Sequence, residues 1–403
     1  MTPTFPALGS LQPNPDWRSL PIFDRKNWAR LPFGAFAESV NERVEPADAA
    51  DDIYVGLDDL DPGSLHIRRW GKGSDVIGTK LRFRKGDIIF GRRRAYQRKL
   101  AVAEMDGICS AHAMVVRARQ DRVLSEFLPF LMMSDRFMNR AVEISVGSLS
   151  PTINWTTLKL EEFDLPPRDQ QRRIAEILWA VDAAVEGWKD TAQRTRVVLR
   201  GSLDTIFRDS EKGEMAVLDD LTTKIVDGTH KTPNYTSTGV PFIVVENLTS
   251  GPGIDFFNTR FVSESDHRNY FQRVNPERGD VLVSKDGTLG VTRYVDTDRE
   301  FSIFVSVALL KPDRDLLDGK FLSYYLGSEL FWAHVRRTSA GSALKHIVLR
   351  DFKSAPFPVM PLTEQHRHVK MLQRIDDGLH QALGHLTQSI ILLQEMLTQV
   401  ISP

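Results

Sequence analysis

The feature of this sequence that most constrains its fold is an internal repeat with an offset of about 194 residues. Matching segments are spread over most of each copy. They are Phe163–Gln171 with Phe357–Gln365, Gly147-Ser148 with Gly341-Ser342 and Ile153 with Ile347, all at an offset of 194, and Lys85–Ile89 with Arg278–Leu282 at 193. The chain therefore contains one structural unit twice, and any fold has to account for both copies.

Each copy ends in a stretch whose apolar residues follow the spacing of a coiled coil. Ten positions, alternately four and three residues apart, are apolar at eight sites in each copy. They are Ile174, Leu178, Val181, Val185, Trp188, Ala192, Thr195, Leu199, Ser202 and Ile206, and then His368, Leu372, Ile375, Leu379, Ala382, Leu386, Ser389, Leu393, Met396 and Val400. This spacing, kept over more than four heptads, is typical of a coiled-coil seam and not of a helix that lies on a globular core.

The pattern predicts two long helices, from about residue 168 to 207 and from about 363 to 401. Each would be ~60 Å long at ~1.5 Å per residue. Because the two share one register, we expect them to pair with each other, antiparallel within the chain, more than with their own globular segments. His368 places a polar ring at one seam position, which we expect to loosen the start of the second helix.

The segments before the helices, residues 21–165 and 215–360, are rich in short β-like runs separated by Gly, Pro, Asn and Asp. Each also contains one amphipathic helix near its end, around Glu126–Arg140 and Lys320–Arg337. We predict an α+β fold with two tandem α/β domains and twisted, barrel-like sheets, separated by and ending in two long helices that form an antiparallel coiled coil. The predicted parts are an N-terminal arm (1–20), a first domain (21–167), a central helix (168–210), a second domain (211–360) and a C-terminal helix (361–403).

Charge is balanced over the chain but unevenly distributed along it. The net charge is −1 with a pI near 6.8, which counts mildly against nucleic-acid binding, where a pI above about 9 is common. Residues 38–61, however, contain nine acidic residues and one base, whereas residues 80–99 contain nine bases and one acid. The average therefore hides a strongly basic segment.

Other features exclude several classes of protein. No apolar run is long enough for a transmembrane helix, and residues 1–20 carry four prolines and no apolar core of a signal peptide. Cys109 is the single cysteine, so an internal disulfide is excluded and we expect a small buried hydrophobe. A cytoplasmic protein fits these features.

Motifs for catalysis, metal binding or cofactor binding are missing from the sequence. It has no Asn/Asp-Pro-Pro-aromatic motif for methylating a base amine and no Gly-rich turn suited to adenosylmethionine. Gly73–Lys80 resembles a phosphate-binding loop, but its Thr and Lys stand in reversed order. His366 and His368 are two residues apart on a helix and make poor joint metal ligands. We expect no catalytic residue, no metal and no cofactor in this chain.

A basic loop in the first copy and its counterpart in the second are the best candidates for nucleic-acid contacts. The planar arginine fork can hold a phosphate or read guanine. The predicted contact residues are Arg92, Arg93, Arg94, Tyr96, Arg98 and Lys99, then Ser284, Lys285, Asp286 and Thr288, Lys231 and Tyr235 of the loop 227–235, and Ser148, Ser342 and Lys345 of the two Gly-Ser loops. For any single loop a solvated basic face or an ordinary turn explains the pattern equally well. Recurrence at corresponding places in both copies favours binding.

These residues resemble a known family. Leu165–Leu178, followed by a long helix, is similar to the conserved junction of specificity (S) subunits of type I restriction–modification enzymes, and Met360–Gln365 is a weaker second copy. Lys85–Arg92, Asp227–Pro233 and Gly279–Gly287 resemble the target recognition domains of that family, whose loops vary much more than the junction. The resemblance covers nearly the whole chain.

The resemblance implies a non-catalytic specificity subunit of a type I restriction endonuclease and adenine-N6 DNA methyltransferase complex, used in phage defence. Each domain would read one half of a bipartite duplex target, and the paired helices would set the spacer. Two methyltransferase (M) subunits carrying S-adenosylmethionine would dock on the helices, and restriction motor-nuclease (R) subunits would join for cleavage. The alternative is a coiled-coil scaffold of a defence assembly that reads no DNA. The target sequence and the spacer length do not follow from the residues.

Overall fold

The computed structural model describes residues 22, 24–210, 213–338 and 346–401 and divides into two compact units. The first unit contains the described residues up to Gly187 and those from His385 onward, and the second contains Trp188–Gly384. Each unit therefore combines one globular domain with part of both long helices. The arm predicted for residues 1–20 lies outside the described residues.

The first globular domain contains two larger sheets and a two-stranded sheet formed by its first and last strands. Its strands are β1 (Ala29–Pro32), β2 (Ala37–Val40), β3 (Arg43–Val44), β4 (Ile53–Val55), β5 (Gly71–Lys72), β6 (Lys80–Phe83), β7 (Ile88–Phe90), β8 (Leu100–Val102), β9 (Gly107–Cys109), β10 (Met114–Ala118) and β11 (Glu162–Leu165). Its helices are α1 (Phe33–Phe36), α2 (Leu128–Met133), α3 (Asp135–Glu143) and α4 (Trp155–Leu158), and the central helix α5 (Arg168–Ser210) follows. The inner sheet has the antiparallel order β2-β10-β7-β8, and the outer sheet has the order β3-β6-β9-β4-β5.

The second globular domain repeats this plan. Its strands are β12 (Met215–Val217), β13 (Thr222–Asp227), β14 (Tyr235–Thr236), β15 (Val240–Ile243), β16 (Arg260–Val262), β17 (Val281–Ser284), β18 (Thr292–Tyr294), β19 (Ser302–Ile303), β20 (Val307–Pro312) and β21 (Pro356–Pro358). Its helices are α6 (Val245–Thr249), α7 (Glu264–Arg273), α8 (Gly319–Tyr325), α9 (Glu329–Thr338) and α10 (Leu349–Lys353), and the C-terminal helix α11 (Leu362–Met396) ends in a π-helical turn, Leu397–Ile401. The inner sheet, β13-β20-β17-β18, has the same order as in the first domain.

The outer sheets differ between the two domains. Both contain a parallel pair, β4 with β9 and β15 with β19. In the first domain an antiparallel strand flanks the pair on each side, β6 beside β9 and β5 beside β4. In the second domain, among the described strands, only β15, the counterpart of β4, has an antiparallel neighbour, β16, and β19 lies at the edge of the sheet. The sheets formed by the described residues are all open, so the barrel-like sheet expected from the sequence does not close.

The inner sheets are apolar on both faces because each is covered twice. Ile88 and Phe90 face the core shared with the helices, whereas Ile89 between them faces the core under the outer sheet. In the second domain Val281 and Leu282 divide in the same way. Strands that are buried on both faces read as continuous apolar runs and not as alternating ones.

A buried glutamine fixes the start of each long helix. The Gln171 amide nitrogen donates to the carbonyls of Pro166 (2.8 Å) and Arg122 (3.2 Å), and its oxygen accepts from the backbone N–H of Leu124 (2.8 Å). Gln365 bonds to Met360 (2.9 Å), Leu316 (2.8 Å) and Asp318 (2.9 Å) in the same way. Because each partner in the second unit lies 194 residues after its counterpart, the repeat in the sequence is also a repeat in the structure.

The amphipathic helix expected near the end of each domain is two helices. Ser134 separates α2 from α3 with extended backbone angles, and its hydroxyl donates to the Leu131 carbonyl (2.6 Å) and accepts from Phe137 N (3.3 Å). Ser328 separates α8 from α9 with the same pair of bonds. The serine ends one helix and caps the next, a use of the hydroxyl that apolar periodicity does not reveal.

The two long helices confirm the predicted fold class. All the seam positions whose side chains are described are buried or half-buried. In the second unit Trp188, Ala192 and Leu199 of α5 form a cluster with Leu379, Ala382 and Leu383 of α11. Further along α5, Leu203 and Phe207 share a core with Val369 and Leu372, so residue numbers rise along one helix as they fall along the other. In the first unit Ile174 and Leu178 share a core with Leu393 and Leu397.

The helices also pack on the globular cores, which the seam alone did not predict. Leu203 and Phe207 join the core of the second domain, and Leu393 and Leu397 join that of the first. His368, expected to loosen the helix start, stacks on Phe321 with an interplanar angle of 26°. Burial lowers the pKa of His368, so at neutral pH the ring packs as an uncharged side chain, and α11 already begins at Leu362, ahead of this position.

Candidate nucleic-acid interface

The basic loop of the first domain is held in a fixed conformation. It leaves β7 at Gly91, whose N–H donates to the Lys99 carbonyl at the far end of the loop (2.9 Å). Arg94 and Arg98 adopt left-handed backbone angles, with φ of 59° and 53°, on either side of a short 3-10 turn, Ala95–Gln97. Such angles are uncommon for residues other than glycine and mark a backbone fixed by its surroundings.

A second loop is joined to the basic loop through residues 150–153. Residues 146–152 form a tight hairpin in which Val146 and Thr152 exchange two backbone hydrogen bonds of 3.0 and 2.9 Å. Ile153 N donates to the Arg92 carbonyl (3.0 Å) and Arg94 N donates to the Pro151 carbonyl (2.7 Å). The predicted contact residue Ser148 is therefore carried beside the arginines, with its side chain exposed.

The acidic segment neutralises part of the basic segment. Arg82 pairs with Asp52 (3.0 Å) and Glu42 (3.5 Å), Arg84 pairs with Glu42 (3.7 Å), and Lys99 lies 3.8 Å from Asp58. The charge asymmetry of the sequence is thus partly cancelled by contacts within the first domain.

Three arginines escape this neutralisation. Within the described residues, Arg92, Arg93 and Arg94 form no ion pair, and their guanidinium contacts are the Ala111 carbonyl (3.2 Å), the His112 ring (3.4 Å) and the Ser150 hydroxyl (3.4 Å). Nε of Arg92 is buried without a hydrogen-bond partner there. Burial and the neighbouring arginines lower the pKa of His112, so its ring does not add charge at neutral pH. A patch of three uncompensated cations suits a polyanion.

The remaining predicted residues of this loop divide into two groups. Tyr96 is 55% exposed and available for contact. Arg98 donates to the Met133 carbonyl (3.3 Å) and pairs with Asp135 (2.5 Å), and Lys99 donates to the Leu57 carbonyl (2.7 Å). Arg98 and Lys99 therefore hold the loop, and the prediction that they contact DNA has no support in this arrangement.

The counterpart loop in the second domain has the same framework and different chemistry. Ile347 N donates to the Lys285 carbonyl (2.8 Å), as Ile153 does to Arg92 in the first domain. Lys285 itself is mostly buried, and its ammonium group lies 2.9 Å from Asp286 and 3.7 Å from Asp227. This copy therefore presents a neutralised lysine where the other copy presents free arginines.

Ser284 does not fit its predicted role as a DNA contact. Its side chain is fully buried, and its hydroxyl accepts from Val291 N (2.8 Å). Thr288 and part of Asp286 are exposed at the tip of the same loop. Ser342 and Lys345 of the second Gly-Ser loop lie outside the described residues.

The loop 227–235 is organised by Asp227. This buried carboxylate accepts from Arg273 (2.9 Å) and lies 3.2 Å from His230. Lys231 and Tyr235 project into solvent, and the guanidinium of Arg260 stacks over the Tyr235 ring at 4.8 Å from its centroid. The predicted residues Lys231 and Tyr235 are thus accessible, and Arg260 is an addition that sequence spacing did not indicate.

One aspartate of each long helix interacts electrostatically with a base of the globular domain. Asp182 of α5 lies 2.6 Å from His66 Nε2, and the neighbouring Glu186 accepts from Arg68 (2.5 Å). At the equivalent place on α11, 194 residues later, Asp376 interacts electrostatically with Arg293. Neither pair was predicted, because the partners are distant in the chain, although an acid next to a seam position was a signal.

The outer faces of the helix pair carry apolar residues that the seam did not include. Ile177, Val198, Met371 and Leu392 each stand immediately before a seam leucine, and all are at least 40% exposed. Val197 and Ile391, 61% and 47% exposed, are again 194 residues apart. In an antiparallel pair these positions lie on one flank, so each unit has one such patch, with contributions from both helices. Contiguous exposed apolar residues mark interaction sites.

Comparisons with known proteins agree on one family. The model described as "Type I restriction modification DNA specificity domain" matches residues 72–193 and 225–388, which include the basic loop and both helix starts. The chain is similar to the EcoDI specificity subunit of Escherichia coli (25% identity, 45% of this chain and 42% of that protein). It is also similar to the putative MjaX specificity subunit of Methanocaldococcus jannaschii (23%, 80% and 79%).

A solved structure shares the fold. The S subunit of a type I restriction–modification system from M. genitalium superposes with a TM-score of 0.64 at 16% identity, over 93% of this chain and 96% of that one. The matched region spans about half of the two E. coli relatives, 42% of EcoDI and 58% of EcoBI. None of the helices within the described ranges has the length and apolar character that a membrane span requires.

Proposed function

Because the chain belongs to the family of type I restriction–modification DNA specificity proteins, we propose that it is the non-catalytic subunit that selects the DNA target of such a system. Each domain reads one half of a bipartite duplex site. It does so chiefly through the loop that follows β7 in the first domain and β17 in the second. Action on the host's own duplex DNA would place it in the cytoplasm.

One observation carries this proposal: the two domains hold corresponding loops on the same framework but give them different chemistry. The bond from Ile153 to Arg92 recurs as that from Ile347 to Lys285, so both loops are presented alike. Uncompensated arginines favour phosphate contacts and guanine readout, whereas Asp286, Thr288 and Lys231 offer a smaller and more mixed set of donors and acceptors. A common framework with divergent loops supports the reading of two different half-sites.

Charge reversal at the arginine patch tests DNA reading. We expect Arg93→Glu/Arg94→Glu to weaken binding to the cognate duplex by at least tenfold. The slope of the logarithm of the binding constant against the logarithm of the salt concentration should fall by the equivalent of about two phosphate contacts. Arg122→Glu is the matched control, since this exposed arginine pairs with the adjacent Asp121 (3.5 Å). The cognate site comes from mapping methylated adenines in the native genome with and without the gene. Unchanged DNA binding by the double variant would favour a scaffold that reads no DNA.

The partners follow from the outer faces of the helices. We propose that two methyltransferase subunits, which bring S-adenosylmethionine, dock on the two equivalent apolar patches, and that restriction subunits join this assembly. Val198→Asp/Met371→Asp should abolish one docking site and leave one methyltransferase per chain in native mass spectrometry. Gln193→Asp, at an exposed position on the same helix as Val198, is the control. Two bound methyltransferases on the double variant would place the docking surface elsewhere.

The length of the helix pair tests its role as spacer. Inserting seven residues after Gly187 and seven after Gly384 keeps both seams in register, and both glycines have open space around them. One heptad adds about 10 Å, or about three base pairs at 3.4 Å each. We expect the methylated site to keep both half-sites and to gain about three base pairs of spacer. An unchanged spacer would remove this role from the helices.

A further inference from the structure

The hairpin beside the arginine patch carries a leucine that has no structural reason to be exposed. Leu149 stands at its tip and is 91% accessible, and Val146 at its base is 69% accessible. Single exposed apolar residues are common on protein surfaces, but a cluster of them indicates a contact. Tyr96 of the neighbouring loop is also 55% exposed.

The leucine is held away from the protein by its backbone. The Val146–Thr152 pair closes the hairpin, and the Thr152 hydroxyl donates to the Ser150 carbonyl (3.1 Å). Gly147 turns the chain with a φ of 115°, a value that residues other than glycine rarely adopt. With Pro151 bonded to Arg94 N, the tip has little freedom to fold back onto a core.

The charges around the tip of the hairpin indicate which kind of partner it contacts. Arg94 Nε reaches the Ser150 hydroxyl next to Leu149 (3.4 Å), and Arg93 and Arg92 extend the same uncompensated patch. A partner protein surface would have to supply several carboxylates to match three arginines, whereas a duplex supplies phosphates on both sides of every base step. Apolar side chains that are flanked by cations can enter between base pairs, unstack them and bend the duplex.

We propose that Leu149 is a wedge that inserts into the first half-site and unstacks one base step while Arg93 and Arg94 hold the flanking phosphates. This inference rests on the proposed function. With such a wedge, the choice of the first half-site depends on base contacts and also on how easily one base step opens. Pyrimidine–purine steps deform most readily.

Fluorescence of 2-aminopurine tests the wedge. The probe is placed in turn at each position of the first half-site except the methylated adenine, and the full chain is added at saturating concentration, alone and with its methyltransferase. We expect a several-fold rise at one step with the unaltered chain, at least half of that rise with Leu149→Met, and none with Leu149→Ser. Leu160→Ser, at a leucine of the same domain that is 69% exposed, is the control and should keep the full rise.

The outcomes separate the wedge from the proposed function. If the unaltered chain does not prefer its cognate duplex over a scrambled one, the proposed function fails. If it binds specifically but no position brightens, or if Leu149→Ser brightens the same step as strongly as the unaltered chain does, the wedge is wrong. Loss of the rise in Leu149→Met would also overturn it, because that side chain remains apolar and of similar length.

Discussion

The ion pair between His66 and Asp182 makes a prediction that can be worked out in detail. The two side chains are 2.6 Å apart, with exposures of 25% for His66 and 6% for Asp182. The contact ties the loop after β4 to the central helix, next to the Arg68–Glu186 pair. Its loss should therefore weaken the attachment of the outer sheet to the helix.

The size of the effect follows from the titration of the histidine. The hydrogen bond to Asp182 raises the pKa of His66 from 6.5 to about 9, against the opposing effect of burial. A change of this size corresponds to about 3 kcal/mol, which we reduce to about 2 kcal/mol because the ring is partly solvated. Since the folded-state pKa is raised, the stabilisation is fully present below pH 6.5 and is lost as the pH rises through 9.

A double-mutant cycle measures this coupling. We expect His66→Gln and Asp182→Asn, alone and together, to give an interaction energy of about 2 kcal/mol in urea unfolding at about pH 6, and under about 0.5 kcal/mol at about pH 9.5. The matched control is the exposed pair Arg30–Glu162, 62% and 53% accessible, with an expected coupling below about 0.5 kcal/mol at either pH. A His66–Asp182 coupling that is independent of pH, or is no larger than that of the control at the lower pH, would refute the reasoning.

Further predictions concern the second unit and the single cysteine. Replacing Gln365 by Ala removes its hydrogen bonds to one buried and two partly buried backbone groups and should cost about 2–4 kcal/mol of unfolding free energy. Gln373→Ala on the exposed face should cost less than about 0.5 kcal/mol, and equal effects in urea unfolding would contradict this. Gly228→Ala places a Cβ 2.1 Å from the Ile303 carbonyl oxygen and should lower the melting temperature of the second unit by several degrees, which calorimetry would detect. Burial raises the pKa of the Cys109 thiol to about 12, so iodoacetamide should label it slowly in the native chain and rapidly in urea; rapid native labelling would show that the site opens.

The repeat and the helices could be predicted because their signals are periodic. An apolar seam at four-three spacing indicates which helix positions are buried, independently of the residues that pack opposite them. A fixed offset between matching segments indicates a shared fold, independently of the loop sequences. The strand runs around Ile88 and Leu282 were recognisable for a similar reason, since burial on both faces leaves uninterrupted apolar residues. Each of these signals depends on neighbours along the chain.

The charges of the candidate interface could not be predicted, because pairing across the fold decides which of them remain. Lys285 and Arg92 look alike in sequence, at corresponding places after the same strand. Asp227, 58 positions earlier in the chain, lies 3.7 Å from Lys285, whereas no carboxylate within the described residues reaches Arg92. The composition gives the number of charged side chains. Only the fold shows which of them have no ion-pair partner.

The divergence between the two copies has a sharp boundary, and its position explains how one framework can present two different loops. Before each loop a buried acid anchors the inner sheet: Asp87 accepts two bonds from Arg117 (2.7 and 2.8 Å), and Asp280 accepts from Lys311 (2.6 Å). The anchoring bases are 194 residues apart and the acids 193, so the anchors belong to the repeat. Beyond the strand ends, exposed residues such as Tyr96 and Thr288 can change without loss of this internal pairing. Selection for a new target would therefore act on the loops alone, since a change in an anchor would leave a buried charge unpaired and destabilise the domain.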